Sequence, residues 1–318
     1  MADARPEPSL NPAQTELLAV LRGDPADRPT FDAGLRHELR AALEDACEPL
    51  VEHLGTKPLY VAKHPLERVL GCEGQYLAEE AEPFAWTPPI ARGVVAHKAI
   101  ELAVSWRGEP VPGDLVAEAI ARLTDGSDGL ADWLQTASET DHAELQGVAT
   151  DRVAGFLELF PPLRRAWRPV TESKVRVELF DGAIVLSGKI DLSLGQADGT
   201  TAGKVLIDLK TGSPRASHID DLRFYAVLET IRVGTPPRLL ASVYLDQGRP
   251  MVEEVTVDVL AAGVRRTIGG ASRMVALARR GEAPVLRPSF GCTWCPALPT
   301  CETGQQHLAA EADRPTEP

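Results

Sequence analysis

Two acidic residues and a lysine stand out because their spacing could hold a divalent cation and cleave a phosphate ester. Asp208 and Lys210 end the apolar run 205–209, and Asp191 closes the motif Gly188-x-x-Asp191 in an earlier apolar run. Alternate side chains of a β-strand share a face, so Asp208 and Lys210 would lie together, about 7 Å apart along the strand. Two carboxylates brought together bind Mg²⁺ or Mn²⁺, and a lysine beside them can orient a water or stabilise charge on a phosphate. If Asp191 lay elsewhere, Asp208 and Lys210 would form only a surface ion pair.

The cysteines form a second pattern. Cys292, Cys295 and Cys301 have the spacing C-x2-C-x5-C, and Cys72 lies far upstream as a candidate fourth ligand. Four thiolates suit either zinc or an iron–sulfur cluster, and the spacing alone does not separate the two. Cys47 has no place in this pattern, and we expect it to be a buried structural thiol.

The elements that must position these residues change in type along the chain. Apolar spacing predicts helices near residues 34–53, 66–77 and 90–104, followed by a helical stretch at 107–168. From residue 170 the period becomes that of strands, with a hairpin turn at Asp181-Gly182 and a third strand at 204–210. A helix at 219–233, a strand at 239–245, a further strand to 257 and a helix to 280 complete the order.

These motifs, in this order of elements, resemble the RecB-like family of the PD-(D/E)XK nuclease superfamily. The resemblance implies an α/β fold with a mixed sheet (α+β), built on a restriction-endonuclease-like core of helix, three strands, helix and strand. It further implies that Asp191 and Asp208 hold Mg²⁺ or Mn²⁺ and that Lys210 is the catalytic lysine.

Three more residues resemble motifs of the same family. His97, in the helix after Pro88-Pro89, would complete the metal shell, since a neutral ring nitrogen can bind a metal. Glu172 resembles an acidic residue that often precedes the G-x-x-D element. Tyr225 matches the tyrosine of a Q-x-x-x-Y motif that contacts DNA or the metal-site network, but Asp221 replaces its glutamine.

The cysteine pattern resembles the iron–sulfur subgroup of these nucleases, which includes AddB nuclease subunits and CRISPR adaptation exonucleases. The resemblance implies a [4Fe-4S] cluster on Cys72, Cys292, Cys295 and Cys301, with zinc as the less favoured occupant. Such a cluster would staple together the two ends of the nuclease domain. Closing a loop of about 220 residues removes chain entropy from the unfolded state, and the free energy of metal binding becomes folding free energy.

We therefore expect three parts. Residues 1–57 would form an N-terminal accessory helical segment, and residues 58–302 the nuclease domain, with a helical insertion at 107–168. Residues 303–318 would form an acidic disordered tail.

Composition agrees with a folded, soluble chain. Of 318 residues, 44% are hydrophobic and 25% charged, which excludes disordered, collagen-like and coiled-coil classes. No apolar stretch is long enough to span a membrane and no secretion signal is visible, so we expect a cytoplasmic protein with no membrane partner. The formal net charge is −13, but residues 1–56 carry −6 and residues 302–318 carry −3 of it. The body, at −4, remains compatible with a nucleic-acid partner.

The functional hypothesis is a metal-dependent DNA nuclease, an exonuclease acting on DNA ends or single strands in repair, recombination or defence. No G-x-x-x-x-G-K-[ST] loop is present, so any helicase or other repair or defence partner must be a separate chain. The alternative is a catalytically weak or inactive nuclease fold that serves as a DNA- or protein-binding scaffold. A zinc-stapled protein of unrelated function is a third hypothesis.

Overall fold

The computed structural model describes residues 10–211, 215 and 217–313, with the backbone alone for Arg249. The first nine residues of the expected accessory segment and the last five of the expected tail lie outside these ranges. The helices are α1 (Pro12–Arg22), α2 (Leu35–Val51), α3 (Lys63–Gly71), α4 (Glu73–Ala81), α5 (Pro88–Ser105), α6 (Pro112–Thr124), α7 (Gly129–Thr136), α8 (Glu139–Leu159), α9 (Ser217–Val233), α10 (Val257–Arg280) and α11 (Glu302–Ala312). The strands are β1 (Leu59–Val61), β2 (Val170–Leu179), β3 (Ile184–Leu194), β4 (Val205–Lys210), β5 (Leu239–Tyr244) and β6 (Arg249–Glu254).

The strands form one six-stranded mixed sheet. Its order is β1-β3-β4-β5-β6, and β2 also pairs with β3. The pairs β1–β3 and β4–β5 are parallel, and the other pairs are antiparallel. Helix α5, three strands, helix α9 and strand β5 follow in the predicted order, which confirms the mixed α/β, restriction-endonuclease-like fold class.

One edge of β3 is shared by two strands that do not meet. β1 pairs with residues 184–186 and β4 with residues 192–194, so no described strand pairs with residues 187–191 on that edge. Because β1 runs parallel to β3 and β4 runs antiparallel to it, their carboxyl ends point toward each other. We call the stretch 187–191 the β3 gap.

Helices cover both faces of the sheet. One core packs α2, α3, α9 and α10 around residues such as Leu43, Leu66 and Leu206. The other packs α1, α5, α6, α7 and α8 around residues such as Ile100 and Ile207. No helix within the described ranges has both the length and the apolar character needed to cross a membrane.

Two local features differ from the predicted elements near Cys72. The helix expected over 66–77 is two helices, because Cys72 has extended backbone angles (φ −131°, ψ 113°) and separates α3 from α4. β1 was not predicted, since three residues are too few to show an alternating pattern. β1 and the break at Cys72 fix the two ends of α3.

The expected disordered tail begins instead as helix α11. Cys301 caps this helix, because its Sγ accepts a hydrogen bond from the backbone N–H of Gly304 at 3.3 Å. Glutamine, leucine, alanine and glutamate, all favourable in helices, make up much of the segment. The acidic composition predicted disorder, but capping and helix propensity outweigh it over residues 302–312.

Candidate functional site

The two predicted acids lie on neighbouring strands at the β3 gap. Continuing the β3–β4 register one step beyond Leu192 and Ile207 sets Asp191 opposite Asp208. The Oδ2 atom of Asp191 accepts a hydrogen bond from the backbone N–H of Leu209 at 2.8 Å. A side chain thus bonds the β4 backbone where the regular pairing of the two strands has ended.

His97 joins Asp191 from the middle of α5. Its Nδ1 atom lies 3.5 Å from Oε1 of Glu172 and 3.4 Å from Oδ1 of Asp191. One ligand atom from each of these three residues lies within 4.8 Å of the other two. One imidazole nitrogen and two carboxylate oxygens suit Mn²⁺ or Mg²⁺, so the residues present fit a divalent cation.

Glu172 reaches this group through an unusual backbone conformation. Its φ is 52°, in the left-handed region that costs a residue with a side chain about 1–3 kcal/mol. It lies across from Asp191, between the pairs Thr171–Leu192 and Ser173–Ile190. β3 is irregular at the same position. Ile190 and Leu192 would share a face in a regular strand, but Ile190 packs in one core and Leu192 in the other. The other carboxylate oxygen of Glu172 contacts Lys189.

Asp208 lies on the opposite side of the gap, between two ammonium groups. It is 2% exposed, with Nζ of Lys63 3.1 Å from its Oδ1 and Nζ of Lys210 2.8 Å from its Oδ2. Oδ2 nevertheless receives no hydrogen bond of adequate geometry within the described ranges. Lys210 is thus a charge contact of this buried oxygen, and Asp208 is not among the three residues whose ligand atoms lie within 4.8 Å of one another.

The sequence did not point to Lys63. It is the first residue of α3, two positions after β1, and no motif or spacing links it to the acids. Only the pairing of β1 with β3 carries it into the gap. Asp221, which stands where the family motif has glutamine, lies between the two lysines, with its Oδ2 3.2 Å from Lys210 and 3.8 Å from Lys63.

Burial and neighbouring charges shift the pKa values of these groups in different directions. Burial and the charge of Asp208 raise the pKa of Asp191 to about 6. Burial also tends to raise the pKa of Asp208, but Lys63 and Lys210 outweigh it and hold that pKa below its usual range. Burial tends to lower the pKa of His97, but Glu172 and Asp191 outweigh it and raise the pKa. In the metal-free centre Asp191 and His97 therefore lose their protons at a higher pH than an ordinary aspartate and an ordinary histidine do.

Tyr225 packs directly on the glycine of the G-x-x-D motif. A Cβ atom at Gly188 would lie 2.2 Å from Cε1 of Tyr225, so only glycine leaves room for the ring. The tyrosine is 4% exposed, and its ring centroid is 5.9 Å from Nζ of Lys63. Tyr225 is thus part of the apolar core, where its ring lies beside Phe224, Lys63 and the β3 backbone at Gly188.

The four predicted cysteines line a second site, which we call the cysteine cavity. It has a volume of about 210 Å³ and is lined by Cys72, Cys292, Cys295 and Cys301 among other residues. Burial and the proximity of the other three cysteines raise the pKa of Cys295. Cys47 lies elsewhere, on the buried face of α2, which confirms that it is a buried thiol.

Backbone amides and an ion pair shape the cysteine cavity. The N–H of Ser289 donates to Sγ of Cys292 at 3.4 Å. Glu73, next to Cys72, is 2% exposed, and both its oxygens bind Arg273 of α10 at 2.8 Å. Its Oε2 also accepts the N–H of Val285 at 2.8 Å. These bonds fasten the α3–α4 junction to the segment that leads to the other three cysteines.

The fold and the site define a class of protein with an acidic, lysine-containing centre at a gap in a mixed α/β sheet. The model of one family, the PD-(D/E)XK nuclease superfamily, matches residues 62–302 of this sequence. The chain belongs to that superfamily.

Solved structures and curated proteins add little to this assignment. A crystal structure from Eubacterium rectale, of a protein called "Putative exonuclease", matches 81% of this chain and 90% of its own, with 9% identity and a TM-score of 0.43. The structure of SSO0001 matches 68% of this chain and 97% of its own, with 14% identity and a TM-score of 0.33. No curated protein matches the sequence. The family assignment therefore rests on the family model.

The contact between Gly188 and Tyr225 gives a first prediction. We expect Gly188→Ala to lower the free energy of unfolding by about 1–3 kcal/mol, because the new methyl group overlaps the buried ring. Urea unfolding measures the change. In a Tyr225→Ala background the same substitution should cost much less, and Gly269→Ala, where the added methyl group meets nothing within 4 Å, should cost nothing. Equal costs in both backgrounds would show that the ring is not the obstacle.

A second prediction concerns the proton on Asp191. Because its pKa is raised in the folded metal-free chain, the stability that this proton contributes is present below the pKa of the unfolded carboxyl and is lost as pH rises through about 6. A cation at Asp191 must displace this proton. We therefore expect Mn²⁺ to raise the thermal unfolding temperature more at about pH 8 than at about pH 5.

Two variants test the assignment of that proton. Asp191→Asn should remove most of the Mn²⁺ effect at both pH values, while Asp132→Asn, at an exposed site on α7, should leave it unchanged. An Mn²⁺ effect of the same size at both pH values in the parent chain would contradict the prediction.

Proposed function

We propose that this protein is a divalent-metal-dependent DNA nuclease that hydrolyses phosphodiester bonds at the β3 gap. The observation that carries the proposal is the convergence of Asp191, Asp208 and Lys210 at this gap, in a chain that belongs to a nuclease superfamily. Cleaving such a bond requires charge stabilisation on the phosphate and an oriented water, and this set of residues can supply both.

Each residue of the centre has a proposed role. Asp191, Asp208 and His97 would hold the cation, and Glu172 would be a further ligand on the side of Asp191 and His97. Bound Mg²⁺ or Mn²⁺ would supply Lewis acidity toward the phosphate and lower the pKa of a water. Lys210, held between Asp208 and Asp221, orients the attacking water or stabilises charge on the phosphate. Tyr225 fixes the strand backbone beside the DNA.

The finer assignment is the RecB-like branch, with DNA ends or single strands as substrate. The G-x-x-D and D-x-K elements and Tyr225 support it, whereas Asp221 departs from the motif. Repair, recombination or defence is the proposed setting, and a helicase would be a separate partner chain. The proposed nuclease domain, residues 58–302, is supported by the family match from 62 to 302.

We also propose that the cysteine cavity holds a [4Fe-4S] cluster. Four ligands of one zinc ion, at about 2.3 Å from the metal, lie within roughly 4 Å of one another. The cysteine cavity, with a volume of about 210 Å³ and four cysteines in its lining, has room for a group larger than one ion. Amide hydrogen bonds to Cys292 and Cys301 are of the kind that tune iron–sulfur centres.

A second candidate function is a nuclease-fold scaffold that binds DNA without cleaving it. The observation that favours it is the engagement of Asp208 by two lysines, which neutralise the acid that the catalytic proposal assigns to the metal. Binding of labelled DNA with no turnover in Mg²⁺ or Mn²⁺ would support this candidate.

The nuclease proposal predicts cleavage that depends on Lys210 and Asp208. Full-length protein purified without oxygen should shorten end-labelled single-stranded or duplex DNA when Mg²⁺ or Mn²⁺ is present. Lys210→Ala and Asp208→Asn should each reduce the rate by at least about a hundredfold, the scale of losing one charge-stabilising group. Lys57→Ala, at an exposed lysine before β1, should retain the parent rate. Cleavage that persists in both active-centre variants would remove the proposal.

The cluster proposal predicts colour and iron. The anaerobic protein should be brown, contain about four irons per chain and lose its visible absorbance on reduction. Cys292→Ser should lose both iron and colour, while Cys47→Ser, at the buried cysteine outside the cavity, should keep them. A colourless preparation with about one zinc per chain would contradict the cluster.

A further inference from the structure

Four charged groups at the β3 gap form a closed ring in which the charges alternate. Lys63 lies 3.1 Å from Asp208, and Asp208 lies 2.8 Å from Lys210. Lys210 lies 3.2 Å from Asp221, and Asp221 lies 3.8 Å from Lys63. We call these four residues the charge ring. Two ammonium groups thus balance two carboxylates.

The members of the charge ring come from three elements. Asp208 and Lys210 belong to β4, Lys63 begins α3, and Asp221 lies in the first turns of α9. No two elements suffice to close the ring, and the tertiary fold has to bring all three together. A ring of this kind depends on the whole site and cannot form in an isolated helix or strand.

The two acids of the ring are more buried than the two lysines. The side chains of Asp208 and Asp221 are 3% and 4% exposed, against 14% for Lys210 and 31% for Lys63. Buried charges are tolerated when paired, and removal of one partner leaves an uncompensated charge. If Lys63 were neutral, two buried carboxylates would share Lys210 alone.

The net charge of the ring acts on the neighbouring cation centre. Asp191, which forms this centre with His97 and Glu172, lies opposite Asp208, and the negative charge of Asp208 raises the pKa of Asp191. Inside a protein the interaction of two charges a few ångströms apart is several-fold stronger than in water. An unbalanced negative charge in the ring would bind a cation more tightly but repel an anionic phosphate.

We propose that Lys63 is a positioning residue of the active centre that balances Asp221, so that the net charge of the ring is zero. It acts through Asp208 and Asp221, without touching the substrate. This inference rests on the proposed function, because it explains how one centre admits both a divalent cation and a phosphodiester.

The balance predicts substitutions with opposite effects that cancel. Lys63→Met should tighten Mn²⁺ binding and Asp221→Asn should weaken it, each by roughly five- to tenfold given the screened charge interaction. The double variant should bind Mn²⁺ within about twofold of the parent, because the two substitutions remove one positive and one negative charge and leave the net charge of the ring unchanged. The KM for DNA should move the opposite way, rising in Lys63→Met and falling in Asp221→Asn.

Mn²⁺ binding to the full-length protein is measured by calorimetry, and thermal unfolding checks each variant. Lys63→Arg keeps the charge and should keep the parent affinity, while Lys57→Met removes an exposed lysine outside the ring and should change nothing. If Lys63→Met does not fold, restoration of folding by Asp221→Asn supports the balance, and a double variant that remains unfolded overturns it.

The outcomes separate this inference from the proposed function. If the two effects on Mn²⁺ binding cancel but the parent protein does not cleave DNA, the charge-balance proposal is supported and the nuclease proposal is contradicted. Cleavage by the parent with single effects that do not cancel would remove the charge balance and indicate that Lys63 contacts the phosphate itself. A parent chain that binds no Mn²⁺ would overturn both.

Discussion

The candidate active centre depends on one constraint, the interrupted edge of β3. A continuous partner strand would pair with the backbone of residues 187–191, so that neighbouring side chains could not enter the plane of the sheet there. Because β1 and β4 instead approach from opposite directions, the pairing of each with β3 stops at the gap, where Lys63 follows the end of β1 and Lys210 is the last residue of β4. The acids, the lysines and the Tyr225 ring all lie where regular pairing is missing.

Helix α3 connects this gap with the cysteine cavity. Its first residue, Lys63, contacts Asp208, and the residue after its last, Cys72, lines the cavity. Nine residues at 1.5 Å each make a rod of about 13 Å, held in the core by the buried Leu66 and Val69. A group bound in the cavity would therefore stiffen the same helix that positions Lys63. The two sites are separate in chemistry but share one mechanical element.

The sequence predicts what is local and misses what depends on tertiary geometry. Asp208 and Lys210 could be identified because a strand places them on one face, and β3 follows from its apolar alternation. Lys63 could not, because its proposed role arises from a three-residue strand that pairs with β3 from 125 residues away. No sequence pattern predicts the left-handed backbone of Glu172, because glutamate does not favour that conformation. The surrounding strands impose it.

The charge ring shows why a departure from a motif has to be judged with its spatial neighbours. Aspartate in place of glutamine at position 221 adds a negative charge to a centre that, under the proposed function, receives a phosphate, and by itself this charge would count against the proposal. The added charge does not stand alone, because Lys63 and Lys210 both face Asp221. Glutamine would need no counter-charge, whereas a buried aspartate does. Asp221 and Lys63 are therefore two parts of one electrostatic arrangement, although 158 residues separate them in the sequence.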